Sequence, residues 1–287
     1  MLKPLAVYAP AIEIDAVTVA TPVLDEEIAF GAYKPQNFGG NFAGWTTVSD
    51  ALAQSLNIPA IKTLNMIGVG TARRYLAANG IALSGGDDNL TLALGTVTEG
   101  VTPTALADGY ATLANGGEYR KSGTVKAIWL NGTKIYQHDT EKTKVFSPET
   151  AYLTTYMLKK TAKSGTSKAL KDVGFDVAAK TGTVGGKGNS DLYMCGYTSE
   201  QTFFVWIGDK ESRLDSSLSS GKVCGNICLN YLSNLKKRPE NFGRPAGIVS
   251  VALDKEALEN KHILKQAHYL SADILIVPMK KTDRIAY

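Results

Sequence analysis

Apolar side chains recur along this chain with two periods, and the changes of period mark its elements. Over 47–66 the residues Val48, Ala51, Leu52, Ile58, Ile61 and Leu64 keep three- and four-residue spacing, which predicts a helix. Pro59 falls inside that pattern, so the helix must be interrupted or restarted there. A second helix is expected over 70–78, stopped by Asn79-Gly80, and a third over 104–114, closed by Asn115-Gly116-Gly117. Ser147-Pro148-Glu149, a cap followed by proline at the first helical position, opens another over 148–162. A closing helix is expected over 221–235.

Strict alternation replaces helical spacing elsewhere. Residues 124–137 read as a hairpin, two strands about Asn131-Gly132, the pair a type I′ turn demands. Three strands are expected at 175–184, 191–198 and 201–208; Ser199-Glu200 is too short for a crossover helix, so the last two are antiparallel neighbours. Residues 4–20 form an apolar stretch, and 31–44 an irregular loop rich in proline, glycine and asparagine. Residues 236–247 read as a linker, followed by strands at 248–253 and 273–279 around a helical middle. No repeat or low-complexity tract is present.

Composition narrows the class. With 287 residues, 44% hydrophobic and 20% charged, the chain is an ordinary globular protein of one large domain or one domain plus an appendage. Its net charge of +4 comes from scattered lysines and arginines, without the dense basic stripe a nucleic-acid interface needs. Cys195 sits in an apolar strand pattern, and Cys224 and Cys228 lie four apart on a helix with no partners for a zinc site, so all three read as packing residues. His138, His262 and His268 match no catalytic spacing, and Asp25 to Glu27 reads as a solvated acidic cluster. The longest apolar run, 272–279, is too short to span a bilayer, and the start of the chain does not resemble a secretion signal, so a chain without signal or anchor is expected. Neither a metal nor a cofactor site is indicated.

Two short motifs carry chemistry. Lys180-Thr181-Gly182-Thr183 ends an alternating strand and makes a binding edge: a cation, two hydroxyls, and a glycine that lets a ligand backbone approach. Ser55-Leu56-Asn57 lies where the first long helix is interrupted, so its side chains can point into a cleft.

The run YKPQNFGGNFAGWTTVSDALAQSLNIPAIKTLNMIGV, then LALGTVTEGVTPTALADGYATLANGGEYR, AAKTGTVG and DLYMCGYTSEQTFFVWIGD, resembles the transpeptidase domain of penicillin-binding proteins, especially the bifunctional class A type, over residues 3–238 in family order. That family carries S-x-x-K, S-x-N and K-T-G motifs. The resemblance implies an α+β, β-lactamase/transpeptidase-like fold, an antiparallel sheet flanked by helices with a helical lobe. It implies D,D-transpeptidation through a serine ester, cross-linking peptidoglycan stems that end in D-alanyl-D-alanine, and acylation by β-lactam antibiotics. Ser55 would join the proton-transfer network, Asn57 would hold the substrate peptide, and Lys180 would supply electrostatics. Thr181 and Thr183 would bind the terminal carboxylate beside Gly182, with the Thr183 N–H as an oxyanion donor. The parent protein is expected at the extracytoplasmic face of the bacterial membrane, held only through an upstream anchor.

In the same resemblance Lys3-Pro4 completes the first motif, which makes Lys3 the candidate general base and puts the serine one residue before Met1. The expectation is therefore an N-terminally truncated domain over 1–238, inactive as it stands and missing its first sheet strands, with 201–208 as an exposed apolar edge. Residues 239–287 would be a linker and an extension. Two other Ser-x-x-Lys matches, Ser219 to Lys222 and Ser233 to Lys236, follow K-T-G, the wrong order for this family. The alternatives are a D,D-carboxypeptidase or β-lactamase-type hydrolase, with water as acceptor, and a non-catalytic domain that binds stem peptide or β-lactam in the same cleft.

Overall fold

A computed structural model describes residues 1–138, 141–185, 189–209, 211, 214–215, 217–268 and 271–285. The apolar start of the chain is a buried helix. A π-helical turn over Lys3–Tyr8 passes directly into α1 (Ala9–Glu13), and residues 3–12 are all buried. The short strands β1 (Pro22–Asp25) and β2 (Gly44–Thr47) pair antiparallel around the irregular loop between them.

The expected interruption near Pro59 is a clean break between α2 (Val48–Ala53) and α3 (Asn57–Ile67). Thr47 caps α2, its Oγ1 accepting from Asp50 N–H at 3.1 Å. Pro59 sits in the first turn of α3, where its missing N–H would have had no partner anyway. The chain turns between the two helices at Ser55, which holds φ at 60°. A non-glycine residue in this left-handed region is strained, and such strain gathers at functional sites.

The remaining elements follow the expected order: α4 (Val69–Ala78), α5 (Pro103–Ala114), β3 (Glu118–Arg120), β4 (Ala127–Leu130), β5 (Thr133–Gln137), β6 (Lys142–Lys144) and α6 (Pro148–Ser164). β4 and β5 form the expected hairpin, with Asn131 and Gly132 at φ 50° and 81°. Pairing of β3 with β6 was not expected from the sequence.

Next come β7 (Ala178–Gly185), β8 (Asn189–Tyr197) and β9 (Thr202–Gly208), an antiparallel sheet of order β7-β8-β9 with Lys180 opposite Cys195 and Cys195 opposite Phe204. Strand alternation sends neighbours to opposite faces. Ala178, Cys195 and Tyr197 join the large core with α5 and α6, whereas Ala179, Leu192 and Met194 pack with Cys224, Cys228 and Leu232 of α7 (Ser220–Ser233). Helices therefore cover both faces, and all three cysteines are buried free thiols in packing roles, as expected. Within the sheet β7 and β9 are the two edge strands, and Trp206 of β9 is exposed, with Nε1 donating to Asp191 at 2.8 Å.

At the C-terminal end β10 (Ile248–Asp254), α8 (Lys255–Lys261) and β11 (Ile274–Lys280) form an antiparallel pair around a helix. Ile248, Leu253, Val277 and Met279 enter the large core, and Lys280 Nζ donates to the Ile12 carbonyl at 2.6 Å. No helix among the described residues is long and apolar enough to cross a membrane.

One expectation fails outright. Asp25 is not solvated but has 0% exposure, its carboxylate taken up by the Asn37 amide and the Ala43 N–H. A count of neighbouring acids cannot see those donors, because they lie 12 and 18 residues further along. Ser219 is also better placed than a loop residue: it caps α7, its Oγ accepting from Lys222 N–H at 3.3 Å.

Candidate active site

Three stretches far apart in sequence meet at Ser55. Lys3, on the first turn of the buried N-terminal helix, donates from Nζ to the Ser55 carbonyl at 2.6 Å and to Asn57 Oδ1 at 2.7 Å, and lies 3.4 Å from Ser55 Oγ. Lys180, on β7, donates to Ser55 Oγ at 2.8 Å and to the Thr181 carbonyl at 3.1 Å. The left-handed turn at Ser55 makes this possible, because it presents the Ser55 carbonyl and hydroxyl to the two amines together.

The two lysines are 5% and 1% exposed, and among the described residues no carboxylate is hydrogen-bonded to either ammonium. Burial disfavours a charged amine, and a like charge nearby disfavours it further. Burial, then the Lys180 ammonium, holds the Lys3 amine well below the ordinary lysine range. Burial alone brings Lys180 down to about 7. Amines tuned this way carry a usable neutral fraction near neutral pH, the property a general base needs.

Asn57 is held on all sides. Its N–H donates to Asn37 Oδ1 at 2.7 Å, its Nδ2 to the Gln36 carbonyl at 2.7 Å, and its Oδ1 accepts from Lys3. Further along β7, Thr181 is buried and Thr183 exposed. Thr183 Oγ1 is 2.7 Å from Ser220 Oγ, and Ser220 Oγ donates to the Gly182 carbonyl at 2.6 Å. A Cβ on Gly182 would lie 2.5 Å from Met1 Cγ and 3.5 Å from Met1 N, so the Met1 side chain packs directly on the strand where Gly182 has no side chain of its own.

The expected site residues thus come together: Lys3, Ser55, Asn57 and Lys180 in direct contact, with Thr181, Gly182 and Thr183 continuing the same strand edge. Three residues that support this grouping escape the sequence reading. Ser220 fixes Thr183. Tyr110, fully buried, donates from its phenol to the Met1 carbonyl at 2.9 Å and anchors the start of the helix that carries Lys3. Asn37 accepts from the first N–H of α3. Ser220 begins a helix after a serine-rich approach and could have been suspected from that; Tyr110 and Asn37 carry no local signal.

Comparison with known proteins gives one family throughout. Residues 2–227 match the penicillin binding protein transpeptidase domain. Penicillin-binding protein 1F of Bacillus subtilis is 38% identical over 99% of this chain, and penicillin-binding protein 1A of Clostridium botulinum 31% identical over 88%. The chain spans 41% and 32% of the length of these two relatives. Penicillin-binding protein 1A of Haemophilus influenzae superposes on the whole chain, 48% of its own, with a TM-score of 0.83 at 19% identity. PonA1 of Mycobacterium tuberculosis, a structure of which holds penicillin V, covers 85% of this chain and 71% of its own with a TM-score of 0.74 at 23% identity. The fold is thereby that of these transpeptidase domains, α+β as the motifs implied.

Proposed function

We propose a function that proceeds from one premise: this chain belongs to the penicillin-binding protein transpeptidase domain family. Its groove serves acyl transfer from a peptidoglycan stem ending in D-alanyl-D-alanine to an amine of a second stem, and β-lactams acylate the same nucleophile. The observation that carries this reading is the convergence of Lys3, Lys180 and Asn57 on Ser55, all within 3.4 Å of it or of one another.

The family resemblance implies the role of each residue, and the contacts at Ser55 support these roles. The nucleophile is a serine in the position preceding Met1, three residues before Lys3, as S-x-x-K requires. The close approach of Met1 to Gly182 supports this placement, because the residue before Met1 would emerge beside the K-T-G strand. Neutral Lys3 takes the serine proton as Oγ attacks the carbonyl between the two D-alanines. The C–N bond breaks, the leaving amine regains a proton through the Ser55 hydroxyl between the two lysines, and D-alanine departs. The acceptor amine then attacks the serine ester and loses its proton to Lys3; the acyl C–Oγ bond breaks, and Oγ takes the proton back from Lys3, which restores the serine. Lys180 steadies Ser55 Oγ and contributes positive charge, while Thr181 and Thr183 bind the terminal carboxylate. The Thr183 N–H faces the developing oxyanion, a contribution of about 10²–10³ in rate where one donor has been removed elsewhere.

Residues 239–287 act as an extension that braces the α1 side of the domain. The parent protein works at the extracytoplasmic face of the membrane.

Labelling with a fluorescent penicillin tests the assignment. The chain extended upstream to include the preceding serine should form a stable covalent adduct, and the chain beginning at Met1 should not. Should the extended protein remain unlabelled, the enzymatic reading fails; should the chain from Met1 label, the nucleophile lies elsewhere. Cross-linked dimer accumulating with free D-alanine distinguishes amine from water as acceptor.

A further inference from the structure

Asp25, at the end of β1, is a fully buried carboxylate, and among the described residues no lysine or arginine is hydrogen-bonded to it. Charged groups tolerate such burial only with their hydrogen-bonding capacity filled. Both its oxygens accept from the Asn37 amide, at 2.9 and 2.8 Å, and Oδ2 also accepts from the Ala43 N–H at 2.7 Å. The Asn37 amide nitrogen additionally reaches the Asn41 carbonyl at 3.0 Å. This leaves Asn37 one free polar atom, Oδ1, and that atom accepts from the Asn57 N–H at 2.7 Å, with Ile58 N–H at 3.5 Å.

Asp25 therefore decides which way the Asn37 amide faces. A flipped amide would set its NH₂ group against the carboxyl-free N–H donors that open α3, and both sides would lose their partners. The carboxylate also lies near the positive end of α3, which favours it there. Lys62, on α3, ties the same strand end down, donating to the Leu24 carbonyl at 2.7 Å and to Glu26 at 2.8 Å.

We propose that Asp25 and Asn37 are positioning residues of the acyl-transfer site: through the Asn57 main chain they fix Asn57 Oδ1, and through that oxygen the amine of Lys3. The consecutive residues Gln36 and Asn37 hold the Asn57 side chain and main chain respectively, so a loop without regular structure places a group of the reacting centre to within a hydrogen bond. The inference rests on the reading of Lys3 as the base, and its test is kept independent of acylation.

The charged groups facing Lys3 in this chain are Lys180 and the Met1 amine, and the titratable group facing Asp25 is Tyr8. Lysine labelled with ¹³C at Cε lets the titration of Lys3 be followed by NMR in the folded protein. Losing a hydrogen bond to its charged form should lower the Lys3 midpoint by about one pH unit. That result is expected for Asp25→Asn and for Asn37→Leu, with Asn37→Ser as a gentler variant should either fail to fold. The exchange of Asp25→Asn with Asn37→Asp rebuilds the pair with donor and acceptor reversed, and it should recover most of the lost shift. Folded variants whose Lys3 titrates as in the parent, whatever their melting temperature, overturn the proposal. An extended protein that refuses penicillin while Lys3 still responds to Asp25 defeats the acyl-transfer reading and leaves the positioning intact.

Discussion

The β4–β5 hairpin and the lysine groove differ in how far apart along the chain their partners lie. In the hairpin Trp129 pairs with Lys134 and Ile128 with Tyr136, across a turn of two residues whose left-handed backbone suits asparagine and glycine. In the groove Lys3 reaches Ser55 across 52 residues and Lys180 reaches it across 125. The hairpin leaves Trp129 62% and Leu130 58% exposed, while the groove lysines are almost wholly buried. A short loop costs little entropy to close and brings little burial in return; a long-range cluster persists only because a large core closes those loops for it. Damage should therefore stay local in the hairpin and spread in the groove.

The largest expected consequence of that difference is catalytic. Lys180→Ala removes the charged donor from Ser55 Oγ, and in the upstream-extended protein the rate of covalent penicillin labelling should fall by roughly 10²–10³, the range for a lost electrostatic donor at a reacting centre. A loss below tenfold would mean the groove has no privileged chemistry.

Stability should follow pH because of the same burial. Lys180 titrates near 7 in the fold against an ordinary value of 10.5, so between those values the unfolded chain binds a proton that the folded one does not. Its contribution is complete above 10.5 and is lost as pH falls toward 7. Unfolding free energy should therefore rise from pH 7 to about 10, with a slope approaching about 1.4 kcal/mol per pH unit for one such group. Lys3, lowered in the same direction, adds to the rise. Above about pH 10 the trend reverses, since burial raises Tyr110 and Tyr197 and they ionise only on unfolding. Urea midpoints at pH 7 and 9.5 measure this; equal midpoints would contradict buried, charge-disfavouring sites for these amines.

The smallest effect belongs to the hairpin. Trp129→Ser should change global stability by no more than about 0.5 kcal/mol, the usual range for surface positions, and leave penicillin labelling unchanged. A loss of labelling there would break the separation of the two regions.

What could be read along the chain tracks this distinction. The Asn131-Gly132 turn, the cap at Ser147, the break before α3 and the alternating strand that carries Lys180 are each written within a few residues, and each stands close to where it is expected. The four-residue pairing of β1 with β2 and the three-residue pairing of β3 with β6 are too short for their pattern to rise above chance. Asp25 reads as solvated because two acidic residues follow it in sequence, yet its donors come from a loop that folds back over it. Tyr110 and Ser220 serve the groove through partners 109 and 37 or 38 residues away, so no spacing rule finds them.

Residue order by itself determined the longer helices and strands, the caps and the turn chemistry, because periodicity and capping act over one or two turns of chain; Lys3, Ser55, Asn57 and Lys180 stand out by their motifs and by the resemblance to a known family. Only the tertiary structure decided that two buried lysines share one serine, that Asp25 is buried against the Asn37 amide, and that Met1 packs on Gly182 of the sheet. Those outcomes depend on burial and on angles between distant segments, which exist once the core has closed and are encoded in no single stretch.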